Sequence, residues 1–172
     1  YLSYVRTNNN LYIYDINKNQ EKRLTSSGGK DISNGHFGWL YEEELSGFDG
    51  YRWSPDSKTI AFWEENQSKV DEYVLVDHSE KYPKVKTLKY PKVGGTNPAL
   101  RIGTVRISGS IRKWIDKANV SDGYLPWMKW IDKNSLAFLK LIRDQKKSHL
   151  YIADRKTGKS ELILTEQDND GW

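Results

Sequence analysis

Three consecutive acids, Glu42-Glu43-Glu44, stand between Trp39-Leu40-Tyr41 and Leu45 in a mildly basic chain. An acid run is ordinarily solvated. The bulky apolar flanks here predict that part of the run is held against a packed wall. Carboxylates held that way lose hydration and shift their pKa unless a cation meets them. A ligand's amine is the natural cation. Glu43 and Glu44 would face opposite sides of a strand, or splay by about 100° on a helical turn. One ligand therefore reaches both only from a turn or a helix end. Glycosidase chemistry needs two carboxylates facing each other across ~5 to 9.5 Å, which neighbours on one backbone do not easily supply.

Other candidate groups read as structural. The Gly-x-Ser-x-Gly turn of α/β-hydrolases is absent, and Ser108-Gly109-Ser110 sits in a polar hairpin turn. No catalytic residue is therefore assigned. His36, His78 and His149 are far apart and lack metal-ligand spacing. Only His36 lies near the acid run. Asp168-Asn169-Asp170-Gly171 hints at a calcium loop but lacks the distal Glu, so it reads as a polar turn. Gly94-Gly95 follows no strand into a helix and carries no phosphate-binding fingerprint. Neither a metal nor a cofactor is expected.

The elements that must position the acids read as strands. Leu11-Tyr12-Ile13-Tyr14-Asp15, a polar turn and Arg23-Leu24-Thr25 form one hairpin pattern. Leu150-Tyr151-Ile152-Ala153-Asp154, a turn and Leu162-Ile163-Leu164-Thr165 repeat it. Each first strand ends in an Asp, which can bond nearby backbone N–H groups and begin a turn. A second pattern precedes this hairpin: a Trp-bearing strand, a tight turn and an apolar strand. It occurs at Tyr51-Arg52-Trp53-Ser54-Pro55-Asp56 into Thr59-Ile60-Ala61-Phe62-Trp63. It recurs at Met128-Lys129-Trp130-Ile131-Asp132 into Ser135-Leu136-Ala137-Phe138-Leu139. Together the two patterns make a four-stranded antiparallel unit of roughly 40 residues, the size of one β-propeller blade.

The predicted fold is all-β, a partial β-propeller. Residues 1–25 form a partial blade, 26–50 an insert with the acid run, 51–116 a blade with an inserted hairpin at 66–99, and 124–165 another blade. The third and fourth strands of the middle blade are expected at Leu100–Ile107 and Ser110–Trp114. Long inserts in compact domains tend to carry function.

Composition agrees. Seven Trp and eleven Tyr among 172 residues exclude ordinary disorder and suit packed sheets. The net charge of +4 is scattered and forms no basic stripe, so nucleic-acid binding is not expected. No cysteine is present, which excludes thiolate chemistry. No apolar run approaches the ~20 residues that span a bilayer, and no signal peptide is visible at Tyr1. The chain opens and closes in mid-pattern, which predicts an internal piece of a longer protein.

Several segments, in order, resemble the N-terminal propeller of the dipeptidyl peptidase IV family of prolyl-oligopeptidase-type serine peptidases. They are Gly38-Trp39-Leu40-Tyr41-Glu42-Glu43-Glu44, Tyr51-Arg52-Trp53-Ser54-Pro55-Asp56-Ser57, Tyr90-Pro91-Lys92-Val93-Gly94-Gly95-Thr96-Asn97-Pro98 and Gly171-Trp172. The resemblance covers essentially the whole chain. Asp49–Trp53 and Ser110–Trp114 look closer to bacterial members than to animal ones.

The resemblance implies an eight-bladed propeller, of which about three blades are present, capping an α/β-hydrolase domain. A short helical insert would present Glu43 and Glu44 to the free α-amine of a peptide. Glu42, Tyr41 and Trp39 would be supporting residues. The parent would remove N-terminal dipeptides with Pro or Ala second. Its triad and a further substrate-binding arginine would lie outside this chain, so the piece alone should be inactive. Parents of this kind are secreted, periplasmic or membrane-anchored.

Two other readings stand beside this one. One is a non-catalytic propeller for protein contact, such as a family member without a triad. The other is a sugar- or peptide-binding surface using exposed Tyr41, Phe48 and Trp39. Open blade faces around Trp63, Trp114, Trp127 and Trp130 predict association with another copy or with further chain segments.

Overall fold

The structure is a computed structural model and describes residues 1–109 and 112–171. Expectations that fall on Ser110, Ile111 and Trp172 lie outside the described residues. Strands β1 (Leu2–Val5), β2 (Leu11–Asp15) and β3 (Gln20–Arg23) form an antiparallel sheet in chain order. The chain continues through β4 (Ile32–Asn34), helix α1 (Trp39–Leu45), β5 (Tyr51–Trp53) and β6 (Thr59–Asn66). Next come β7 (Glu72–Asp77), β8 (Lys84–Lys89), β9 (Ala99–Arg106) and β10 (Arg112–Val120). Strands β4, β5, β6, β9 and β10 share the second sheet, while β7 and β8 pair only with each other. The third sheet runs β11 (Tyr124–Trp130), β12 (Ser135–Leu141), β13 (Lys147–Asp154) and β14 (Ser160–Gln167), neighbour to neighbour. The architecture is a partial all-β propeller with a short helical insert.

The turns follow from side chains that replace backbone partners. Asp15, Asp132 and Asp154 each accept two or more N–H groups just downstream of their strands. At Trp53-Ser54-Pro55-Asp56, the Ser54 hydroxyl donates to Asp56 at 2.7 Å and accepts the Thr59 N–H at 3.0 Å. Ser57, at φ 55°, closes that turn in the left-handed region.

Strand β6 runs through the middle of the stack and is buried on both faces from Thr59 to Glu65. Period-2 alternation sends its side chains into two cores. Ile60 and Phe62 join Leu11, Ile13 and Val105 against the first sheet. Ala61 and Trp63 join Ile102, Leu125, Met128 and Phe138 against the third.

Two of the four tryptophans expected on open faces are therefore interior. Trp63 and Trp130 are buried between sheets because they fall on the inward phase of their strands. Trp114 is half-buried beneath the Arg101 guanidinium, 3.6 Å from its ring centre, and fills the space over Gly103. Trp127 alone of the four is exposed.

Strands β4 and β5 are two halves of one strand. Ile32–Asn34 pair with Asn66–Glu64, and Tyr51–Trp53 pair with Phe62–Ile60, both antiparallel on the same edge of β6. The break lies opposite Trp63. There the Gly35 N–H donates to the Trp63 carbonyl and the Trp63 N–H donates to Gly50, each at 2.9 Å. Gly50 in turn donates to the Gly35 carbonyl at 3.0 Å. A Cβ on Gly50 would lie 2.6 Å from the Gly35 carbonyl carbon, and Gly35 itself sits at φ +85°. Two glycines let the backbone pinch shut here, and everything between them, including α1, leaves the sheet as a closed loop.

Candidate functional site

Helix α1 spans seven residues and has no side-chain cap at Gly38. Its C-terminal turn is closed by Ser46 in the left-handed region and by the Gly47 N–H, 2.8 Å from the Tyr41 carbonyl. An isolated helix this short is not stable in water. Contacts from three other elements hold it.

The first contact is from β6. The Glu65 carboxylate accepts the Gly38 N–H at 2.6 Å and the Gln67 side-chain amide at 2.9 Å. It therefore serves from outside as the cap that the helix lacks. Glu65 is fully buried, and its other oxygen has no partner among the described residues. Burial pushes its pKa up to about 7, the two hydrogen bonds oppose the rise, and the nearby Glu42 adds to it. The adjacent Glu64 faces the other way and meets Arg101 at 2.6 Å. Of two neighbouring buried acids, one has a cation and the other has a helix start.

The second contact is from β11. The buried Tyr41 hydroxyl accepts the Leu125 N–H at 3.0 Å, while the Trp63 indole donates to the Leu125 carbonyl at 3.0 Å. Tyr41 stacks on Phe37 at 5.0 Å, and Phe37 meets Trp63 edge-on at 5.2 Å. Burial raises the Tyr41 pKa far above its usual value, which keeps the phenol neutral. The third contact lies beyond the sheet, where Trp39 packs on Tyr90 with ring centres 4.4 Å apart.

These contacts leave the acids outward. Glu42, Glu43 and Glu44 are exposed, and among the described residues none is held by a basic side chain. This corrects the expectation that part of the run lies against a packed wall. The wall exists, but Tyr41 makes it, with Leu40 and Leu45 packed alongside. Tyr41 also cannot belong to an exposed aromatic surface, since its whole ring is interior; Phe48 is exposed and Trp39 half-buried. Glu44 borders a cleft of about 840 Å³ that Trp39, Tyr90, Tyr73 and Lys92 also line.

The remaining candidates stay apart from the helix. His36 offers its carbonyl to the Ser33 hydroxyl at 2.7 Å. His149 pairs with Thr165 at 2.9 Å, and His78 is exposed just beyond β7. Asp168 accepts the N–H groups of Asp170 and Gly171, which closes a turn. No group of three or more His, Asp or Glu among the described residues is placed to hold a metal ion. No helix among them is long and apolar enough to cross a membrane.

Sequence reasoning missed Glu65. The available signal was an acid pair ending the apolar run Thr59–Trp63, where alternation sends one acid to each face.

The whole chain, residues 1–172, matches the family described as dipeptidyl peptidase IV (DPP IV) N-terminal region. It is 30% identical over 182 residues to a Trichophyton rubrum protein named dipeptidyl peptidase 4, covering 99% of this chain and 23% of that protein. It is 35% identical over 178 residues to a Rattus norvegicus protein named inactive dipeptidyl peptidase 10, covering 99% and 22%. The solved structure of Porphyromonas gingivalis dipeptidyl peptidase 4 superposes with a TM-score of 0.89 at 28% identity, over 97% of this chain and 24% of that one. The chain thus spans less than a quarter of the length of these proteins.

Proposed function

The chain belongs to the dipeptidyl peptidase IV N-terminal-region family, and from that premise we propose that α1 is the amine-binding element of a dipeptidyl peptidase. Glu43 and Glu44 receive the free α-ammonium of a peptide substrate. The observation that carries this reading is a helix clamped by three neighbours that nevertheless points adjacent carboxylates outward, with no basic side chain among the described residues to meet them. An ammonium has three N–H donors, and charge-assisted bonds to two carboxylates fix both its position and its direction. A peptide held by that end reaches a nucleophile with only its second residue, so dipeptides leave. The acid pair measures length, while bond cleavage falls to a serine-type α/β-hydrolase domain of the same parent. The 172-residue piece alone is inactive on this reading. Pro or Ala as second residue and an extracytoplasmic parent come with the family resemblance. The parent is a homo-oligomer on the same reading.

The test uses the parent protein. Glu43→Gln and Glu44→Gln each remove a charge at nearly constant shape. Each should lower kcat/KM for free-amine dipeptide substrates by roughly 10- to 100-fold, the loss expected for one charged hydrogen bond. Unchanged kinetics in both variants would sink the assignment.

The rat relative is named inactive, so a second reading, a propeller used without catalysis, is kept beside the first. A parent with no serine at a Gly-x-Ser-x-Gly turn, and no hydrolysis of any dipeptide substrate, would select it.

A further inference from the structure

We propose that Tyr90, at the foot of the β7–β8 hairpin, is a positioning residue for the glutamate pair and acts through Trp39. The inference rests on the amine-binding reading of Glu43 and Glu44. Two of the three holds on α1 are made inside the blade stack: the Gly38 N–H on Glu65 and the Tyr41 hydroxyl at Leu125. They fix the start of the helix and seat its inner face, and the third hold is the one on its outer side.

The outer side is braced through Trp39. Residues four apart lie on one helix face, so Trp39 shares a face with Glu43. The Trp39 ring rests on Tyr90 at 4.4 Å, tilted by 42°. Glu44, the other member of the pair, borders the cleft that these two rings line. A change at Tyr90 therefore tilts both carboxylates together.

Tyr90 is itself held firmly. Its N–H donates to the Asp71 carbonyl at 3.0 Å, which closes the foot of the hairpin, and Pro91 fixes the backbone beyond it. Its ring lies 5.5 Å from Tyr73, over which the Lys92 ammonium sits at 4.8 Å. The closed foot of the hairpin thus presents the Tyr90 ring to Trp39. The Tyr90-Pro91-Lys92 segment reaches the site through one ring.

The experiment uses the full-length parent and two substrates, a free-amine dipeptide chromogenic substrate and its N-acetylated form. Tyr90→Ala should raise KM for the free-amine substrate roughly three- to tenfold, the scale of one aromatic pair contact. The same variant should leave kcat within about twofold and barely change the acetylated substrate, which has no ammonium to place. Tyr90→Phe keeps the ring and should restore the wild-type KM. Combined with Glu44→Gln, Tyr90→Ala should cost less than the sum of the two separate losses, because both act on one contact.

An unchanged KM in Tyr90→Ala, equal losses on both substrates, or a Phe variant as poor as Ala would each overturn the proposal. If Tyr90→Ala does not fold, Tyr90→Leu retains bulk without a ring face and carries the same test. Glu43→Gln and Glu44→Gln run in parallel separate the two readings. Sensitive glutamates with a silent Tyr90 remove only the positioning role, whereas silent glutamates remove both.

Discussion

Glu65 is held in a state that its sequence neighbours do not suggest. Its folded pKa of about 7 lies above the ordinary 4.5, so the folded protein binds this proton more tightly than the unfolded chain does. The sign follows by linkage. The stability tied to this proton is fully present below about pH 4.5 and is lost as pH rises toward 7, after which the profile levels. Glu65→Gln keeps an acceptor for the Gly38 N–H and removes the titration. The variant should gain in melting temperature relative to wild type as pH rises from 4.5 to 7 and hold a constant difference above that. A pH-independent difference would mean that folding does not raise the Glu65 pKa. At this scale the acid run was legible in the sequence and its true support was not. Glu42, Glu43 and Glu44 announce themselves by clustering. Glu65 is recognisable only once β6 is known to be covered on both faces, a fact of tertiary contact.

Strand patterns were the most readable layer. Asp15 and Asp154 marked hairpin turns because an acid after an alternating strand has an evident local use, and both accept the expected N–H groups. The pairing of β4 with β6 was not readable. Ile32–Asn34 is three residues long, and its partner lies some thirty residues downstream across a helix. No local periodicity signals such a pairing. Its support is the glycine pinch, which gives a prediction at this scale. Gly50→Ala forces a Cβ against backbone atoms at 2.6 to 2.7 Å and should destabilise by roughly 1–3 kcal/mol. Gly29→Ala enters open space and should change stability by no more than about 0.5 kcal/mol. Urea titration of the two variants against wild type checks this, and equal midpoints would refute the pinch.

Across the molecule, the surfaces that call for company reach beyond Trp127, the one exposed member of the four expected tryptophans. β14 ends the third sheet, and its Leu162, Ile163 and Leu164 are each 49% exposed. An apolar edge strand of this kind is a template for pairing with another chain. The 172-residue piece should therefore gain mass with concentration in light scattering, and Ile163→Lys should shift it toward monomer. A mass independent of concentration in the unsubstituted piece would contradict this. The pinch opposite Trp63 carries one more consequence. Gly35 and Gly50 meet the same residue of β6, so excising 36–50 would leave Gly35 facing Trp63 and Tyr51 facing Phe62, with the ladder still in step. The helix is, in geometric terms, a cassette spliced into a strand that could run unbroken without it. A blade of this pattern could acquire or discard such a cassette with its strand ladder in step, once the core space that Phe37 and Tyr41 fill beside Trp63 and Leu125 was repacked.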